Sequence, residues 1–300
     1  MYKYRFTIFT PTYNRGYILT KLYNDLKNQT FKDFEWLIVD DGSTDNSEEL
    51  INKFKTENIL NINYIKKENG GKHTAINTGV KNACGELFFI VDSDDGLVND
   101  SLQVIVDEWN SIEDKTNLSG VVGLCEHTNG EIVGTKMPEE HQICHFADLY
   151  FKYNVKGDKS LVLLTDVIKK YPFPERKEVN FLPESVVWHE ISKDYKVKCI
   201  NKTMIIRDYL DDGLTQNIMS KSSLKGRALE FLYLINQNTY QISKYPYMWL
   251  KNYINLARYS LLSESSYFKE INKLFDKCMY IMLFPLGYLK FAKSKKLIAK

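Results

Sequence analysis

Residues 87–96 read LFFIVDSDDG, an unbroken apolar run that ends abruptly in three carboxylates, Asp92, Asp94 and Asp95. A run this short and uniformly apolar fits a strand buried on both faces. Working outward, similar runs stand at 5–9 (RFTIF), 36–39 (WLIV) and 62–65 (INYI), each flanked by turn residues. Helical spacing lies between them: Ile18, Leu19, Leu22 and Leu26 form one apolar stripe, and Leu50, Ile51 and Phe54 form another. Ser43 and Thr44 read as N-caps for the second stripe, and a shorter helix is expected over 73–81. Strands alternating with helices imply βαβ units and a mainly parallel sheet sandwiched by helices. Ligands on such sheets bind beyond the carboxyl ends of the strands.

Composition agrees with a packed protein. The chain has 300 residues, 44% hydrophobic and 26% charged, with 40 basic against 38 acidic residues and a formal net charge of +2. That balance argues against a nucleic-acid partner. The five cysteines are odd in number and include no CxxC pair, so a reducing, cytoplasmic setting is expected. The start, MYKYRFTIF, has no apolar signal core. The uncharged run from Cys278 to Leu289 falls short of the about 20 residues a spanning helix needs.

Further strands are expected at 121–125 and 161–165, and a helix at 185–195. Beyond Asp212 the pattern turns helical, with stripes over 224–235, 247–262 and 268–284. Two domains are therefore expected, an α/β domain over 1–212 and an all-α extension over 213–300.

Four polar clusters directly follow the early strands: TPTYNR (10–15), DDGSTD (40–45), NGGKH (69–73) and DSDDG (92–96). Carboxylates at a strand end suit a hard cation, Mg²⁺ or Mn²⁺, which takes one or two protein oxygens and completes its shell with water and phosphates. The same acids could instead cap the next loop. Asp40 could accept a hydrogen bond from a base N–H, while Asp41, Ser43 and Thr44 could simply form the turn. Tyr13 offers a stacking face, Arg15 a guanidinium, and the glycine pair beside Lys72 offers close backbone approach plus a cation. Neither GxGxxG nor GxxxxGK[ST] is present. Cys125, His127, His141, Cys144 and His145 lack the paired spacing of structural zinc sites.

In this order, TPTYNR, VDDGSTD (39–45), NGGKHTAIN (69–77) and VDSDD (91–95) resemble the family 2 glycosyltransferases of the GT-A fold, specifically bacterial enzymes that assemble capsular or other cell-surface polysaccharides. The resemblance is strong over 5–110, moderate to about 215, and unspecific beyond. It implies an inverting transfer of a sugar from a nucleotide-diphosphate donor to an acceptor hydroxyl. Carried over by position, Pro11, Tyr13 and Arg15 line the nucleotide pocket, Asp40 or Asp41 reads the base, and Lys72 lies beside the donor. Asp92 and Ser93 contact the nucleotide sugar and Asp94 the metal, Mn²⁺ or Mg²⁺, with Asp95 in indirect support. The Tyr13 and Asp40 pattern is similar to uridine-binding relatives, which favours a UDP-sugar.

A base must take the acceptor's proton, and Glu184 in FLPESVVWHEIS (181–192) is the candidate, because relatives place an acid just before a Trp-containing helix. Many of them have Glu followed by Asp there, whereas this chain has Ser185; Glu190, Asp166 and Glu175 are rivals. Arg207, Asp211 and Asp212 in IIRDYLDDGLT (205–215) read either as a segment closing over the substrate or as a charged turn. The tail couples MYIMLFPLGYL (279–289) to Lys290, Lys293, Lys295, Lys296 and Lys300, with no acid after Asp276. Two readings fit it: contact with an anionic membrane surface, where relatives take lipid-linked glycan acceptors, and packing against a neighbour or second copy. The rival functions are a non-catalytic sugar-nucleotide or polysaccharide-binding subunit and a nucleotidyltransferase.

Overall fold

A computed structural model describes residues 2–207 and 220–298. The strands are β1 Tyr4–Thr12, β2 Phe34–Asp40, β3 Ile62–Lys66, β4 Gly85–Ile90, β5 Gly96–Leu97, β6 Leu118–His127, β7 Ile143–Cys144, β8 Lys159–Leu164 and β9 Lys196–Arg207. The helices are α1 Leu19–Asn28, α2 Ser47–Glu57, α3 Lys72–Asn82, α4 Ser101–Asn110, α5 Phe146–Phe151, α6 Thr165–Ile168, α7 Ser185–Asp194, α8 Lys221–Asn236, α9 Pro246–Leu262 and α10 Leu274–Ile298.

Two compact units result: Met1–Phe173 with Ile191–Asp211, and Pro174–Glu190 with Asp212–Lys300. The expected single cut after residue 212 therefore does not describe the division, because 174–190 groups with the C-terminal helices. The cause is apolar: Pro174, Val179 and Leu182 share one cleft with Leu229 and Leu232 of α8.

The first unit carries one sheet in the order β3-β2-β1-β4-β8-β6-β9-β5, with β7 on β9. The first four of these strands run parallel, as their apolar runs require, and every residue of β2 is buried. Trp36 anchors one face: Tyr23 of α1 and Phe54 of α2 stack with centroids 4.0 Å apart, both rings lie 6.2 Å from the indole, and Trp36 Nε1 donates to Thr10 Oγ1 at 2.9 Å. Burying each such side chain contributes about 1.5–3 kcal/mol. Leu19, Leu22 and Leu26 of α1 are buried here, as their spacing predicts.

Ser43 and Thr44 do not cap α2, which begins at Ser47. Asn46 is the N-cap residue, Asp45 Oδ1 just before it accepts from Ser47 N at 3.1 Å, and Ser43 and Thr44 are bound to Asn14.

In the second unit α9 packs between α8 and α10. The stripe expected over 268–284 divides into a short 3₁₀ turn, Phe268–Glu270, and α10, which continues through Pro285 to Ile298. Among the described residues no helix is long and apolar enough to cross a membrane. Asp211 and Asp212, read together with Arg207, lie outside the described residues.

His189 of α7 is bonded to the Tyr240 hydroxyl through Nδ1, and burial pushes its pKa from 6.5 down to about 4. Between those values the unfolded chain binds the extra proton, so stability falls as pH drops from about 6.5 to 4 and is insensitive to this group above pH 7. We expect His189→Gln to remove up to about 3 kcal/mol of that acid sensitivity. Urea midpoints at neutral and acidic pH check it, and parallel pH profiles for the two proteins would contradict it.

Candidate active site

Register places the four polar clusters along one edge. Pro11 pairs with Val39 and Thr12 with Asp40, Asp40 pairs with Lys66, and Val91 N donates to Phe9 O at 2.9 Å where β4 ends. The strand ends therefore release TPTYNR, DDGSTD, NGGKH and DSDDG side by side.

They then bind one another. Asn14, at φ 53 in the left-handed region that asparagine tolerates, donates its N–H to Ser43 Oγ and accepts from Thr44 N, both at 2.8 Å. The Asp41 carboxylate accepts from Gly70 N at 3.0 Å, Gly71 N at 2.6 Å and Lys67 Nζ at 2.7 Å. Gly71 has φ 91, which explains a glycine there.

Asp40 is fully buried, its oxygens accepting from Ser43 N and the Tyr64 hydroxyl, each at 2.7 Å. Burial and then the Asp40 hydrogen bond hold the Tyr64 phenol protonated. Asp40 and Asp41 thus build the turn, and a base N–H would have to share or displace these donors.

Carboxylates and cations alternate in the last cluster. Lys72 Nζ stands 2.6 Å from Asp92 Oδ1 and donates to Oδ2 at 2.7 Å. Arg15 donates to Asp94 Oδ2 at 3.3 Å. Arg207 Nη1 lies 3.5 Å from Asp95 Oδ2 and 3.9 Å from Asp92 Oδ2. The two-residue strand β5 explains that approach, since Gly96 pairs with Ile206 and brings Asp95 to the end of β9.

The three acids respond differently. Burial raises the pKa of Asp92, but Lys72 and Arg207 outweigh it and hold the carboxylate below its usual range. Burial, reinforced by the Asp92 charge, pushes Asp94 up. Asp95 is pushed up to about 8 by burial, with repulsion from Asp92 and Asp94 opposing Arg207.

A divalent cation would fit this donor set at Asp94. Its ion pair with Arg15 is a long one, 3.3 Å, and cationic neighbours already claim Asp92. Among the described residues no group of three or more Asp, Glu, His or Cys could hold a metal alone. Phosphate oxygens and water would have to complete the shell.

The other sequence candidates are placed as follows. Tyr13 presents its ring at 49% exposure, Pro11 is buried within β1, and Ser93 is buried. Glu184 belongs to the second unit, immediately before α7, where its carbonyl accepts from Val187 N and Trp188 N. Glu190 accepts from Thr239 Oγ1 at 2.8 Å and is buried, which gives it a structural tie. Lys67 escaped the sequence reading because nothing local distinguishes it from the neighbouring Lys66. Thr12 was read only as part of a turn, yet its hydroxyl is buried without a hydrogen-bond partner.

This arrangement of interlocked loops matches a family model, Glycosyl transferase family 2, over residues 7–167. The chain belongs to that family. It is 32% identical to the poly(ribitol-phosphate) β-N-acetylglucosaminyltransferase TarS of Staphylococcus aureus over 124 residues, 40% of this chain but only 22% of that protein. It is 24% identical to the Campylobacter jejuni GalNAc(5)-diNAcBac-PP-undecaprenol β-1,3-glucosyltransferase over 221 residues, 70% of this chain and 67% of that one. The fold is shared with S. aureus TarS 1-349 in complex with UDP-GlcNAc, at TM-score 0.61 and 22% identity over 93% of this chain and 79% of that one. It is shared too with a Pyrobaculum calidifontis mannosyltransferase bound to GDP-Man and Mn²⁺, at TM-score 0.57 and 18% identity over 100% and 89%. The GT-A fold expected from the motifs is therefore the fold of this chain.

Proposed function

We propose that this family 2 glycosyltransferase moves a sugar from a UDP-sugar to an acceptor hydroxyl, with inversion, in the assembly of a cell-surface or lipid-linked glycan. The observation that carries the reading is the knot of Arg15, Lys72 and Arg207 around Asp92, Asp94 and Asp95 at the carboxyl edge of the sheet. Cations held in place by acids are suited to a diphosphate, which brings its own negative charge to Arg15 and Lys72. The exposed Tyr13 ring suits a base, and the UDP-GlcNAc and UDP complexes of TarS support uridine. Five free thiols are in keeping with the cytoplasm.

In the single displacement proposed here, the acceptor oxygen bonds to the anomeric carbon as the bond to the diphosphate oxygen breaks. The acceptor proton passes to a carboxylate, assigned to Glu184. Mn²⁺ or Mg²⁺ held at Asp94 would neutralise charge on the departing UDP. Arg15 and Lys72 keep that charge in place, and Tyr13 holds the base.

Calorimetric titration with UDP, GDP and dTDP, each with Mn²⁺ and with EDTA, tests the donor site. Metal-dependent binding of UDP alone is expected, and no binding of any nucleotide would sink the reading. Glu184→Gln is expected to leave UDP affinity unchanged while lowering transfer about 10²- to 10⁴-fold. Unimpaired transfer would remove Glu184 as the base. Nucleotide binding by a wild-type protein that transfers no sugar would favour a binding subunit.

A further inference from the structure

Helix α10 is apolar on two opposite sides. Its inner side is occupied: Tyr253 of α9 donates to Asp276 Oδ1 at 2.7 Å, Tyr280 and Leu283 are buried, and Gly287 lets the helices meet so closely that a Cβ there would stand 2.5 Å from Ala257 Cβ. Spacings of 4, 3 and 4 residues put these four positions on one stripe.

The outer side repeats the pattern, and of its apolar residues Phe275 meets a neighbouring ring, Trp249 of α9, at 6.2 Å. Leu274, Phe275, Ile281, Met282, Leu286 and Leu289 are all exposed, from 48% to 77%. Positions 274, 278, 281, 285 and 289 follow each other at helical spacing, so this is a continuous band over four turns rather than scattered residues. Isolated exposed apolar residues need no explanation, but a contiguous band marks an interaction surface. The charged residues of this stretch, Asp276 and Lys277, are buried and half-buried respectively.

Where the band ends, Lys290, Lys293, Lys295 and Lys296 begin, with Lys293 and Lys296 continuing the same helical rows. All four are exposed. A pair of α10 helices from two copies would need acids flanking the seam to meet these lysines, and α10 has no acid other than the buried Asp276. The complement its chemistry asks for is a broad apolar phase bordered by negative charge. No helix among the described residues is able to span a bilayer, so α10 would lie in the plane of the interface.

We propose that the outer face of α10 docks on an anionic lipid bilayer, with its apolar band in the acyl boundary and its lysines among the headgroups. This is independent of the transfer reaction. The test is co-sedimentation of the full chain with vesicles of phosphatidylcholine and phosphatidylglycerol, and with vesicles of phosphatidylcholine alone. Binding is expected on the mixed vesicles, weakened by salt, and lowered at least about 10-fold by Ile281→Glu with Leu289→Glu. Lys293→Glu with Lys296→Glu should weaken it on mixed vesicles only. All four positions are exposed, so UDP binding and helical content should match the parent protein and rule out misfolding. Absence of binding to mixed vesicles at low salt would overturn the proposal. So would indifference to both double variants, or a solution dimer that Ile281→Glu with Leu289→Glu converts to monomer.

Discussion

Asp94→Asn is expected to lower sugar transfer about 10²- to 10³-fold and to abolish the dependence of UDP affinity on Mn²⁺. Size is unchanged and the lost ion pair is a long one, 3.3 Å to Arg15 at partly exposed positions. The cost in stability should therefore stay within about 1 kcal/mol. Asp92→Asn separates the two acids of the motif. Asp92 is held by Lys72 on both oxygens, so its removal frees that cation and leaves the proposed metal ligand, Asp94, in place. UDP affinity should then still respond to Mn²⁺, while transfer falls because Lys72 is no longer fixed. The checks are UDP release in a coupled assay and titrations with and without EDTA. Equal metal dependence in wild-type protein and Asp94→Asn would defeat the assignment of Asp94.

What the sequence disclosed and what it concealed follow from where the determining forces lie. LFFIV and WLIV could be read as strands because a strand covered on both faces has to be apolar throughout. The convergence of the four loops followed from parallel strand direction alone. Strand β9 was not legible: KVKCINKTMIIR carries three lysines, and Lys198 is tolerated within the sheet because it meets Glu108 at 2.7 Å and Ser111 Oγ at 2.8 Å. Those partners lie about ninety residues away in the chain. Ser43 and Thr44 misled for the same reason, since Asn14, 29 and 30 residues distant, claims them. The stripe expected to end at 284 runs on through Pro285, which lies on the exposed side of α10. The grouping of 174–190 with α8 depends on tertiary contacts that no local pattern records.

Arg207→Met is expected to lower stability by about 3 kcal/mol and transfer by about 10²-fold. Arg207 is the last residue of β9, three strands from β4 in the sheet, and it reaches the acidic loop because β5 folds back onto β9. Among the described residues three carboxylates lie within reach: Asp95 at 3.5 Å, Asp92 at 3.9 Å and Asp158 at 4.0 Å. Asp158 is 62% exposed, so water screens it and little is lost there. Asp92 decides the outcome: Lys72 and Arg207 outweigh burial and hold its carboxylate ionised, whereas Asp95, 3% exposed and pushed up to about 8, is mostly protonated at neutral pH and loses less with the guanidinium. Lys72 then has to hold Asp92 unaided, which loosens the point where the diphosphate is to be received. Arg207→Lys should not restore function fully, because Nη1 meets Asp92 and Asp95 while Nε faces Asp158, and a single ammonium has no planar fork to do both. Removing the charge that Arg207 compensates should reduce the loss of stability: Asp92→Asn combined with Arg207→Met is expected to cost less than the two single changes added together. Urea denaturation of the four proteins forms a double-mutant cycle. If the two changes simply add, the guanidinium is not compensating Asp92, and its effect on transfer would have to come from direct contact with substrate.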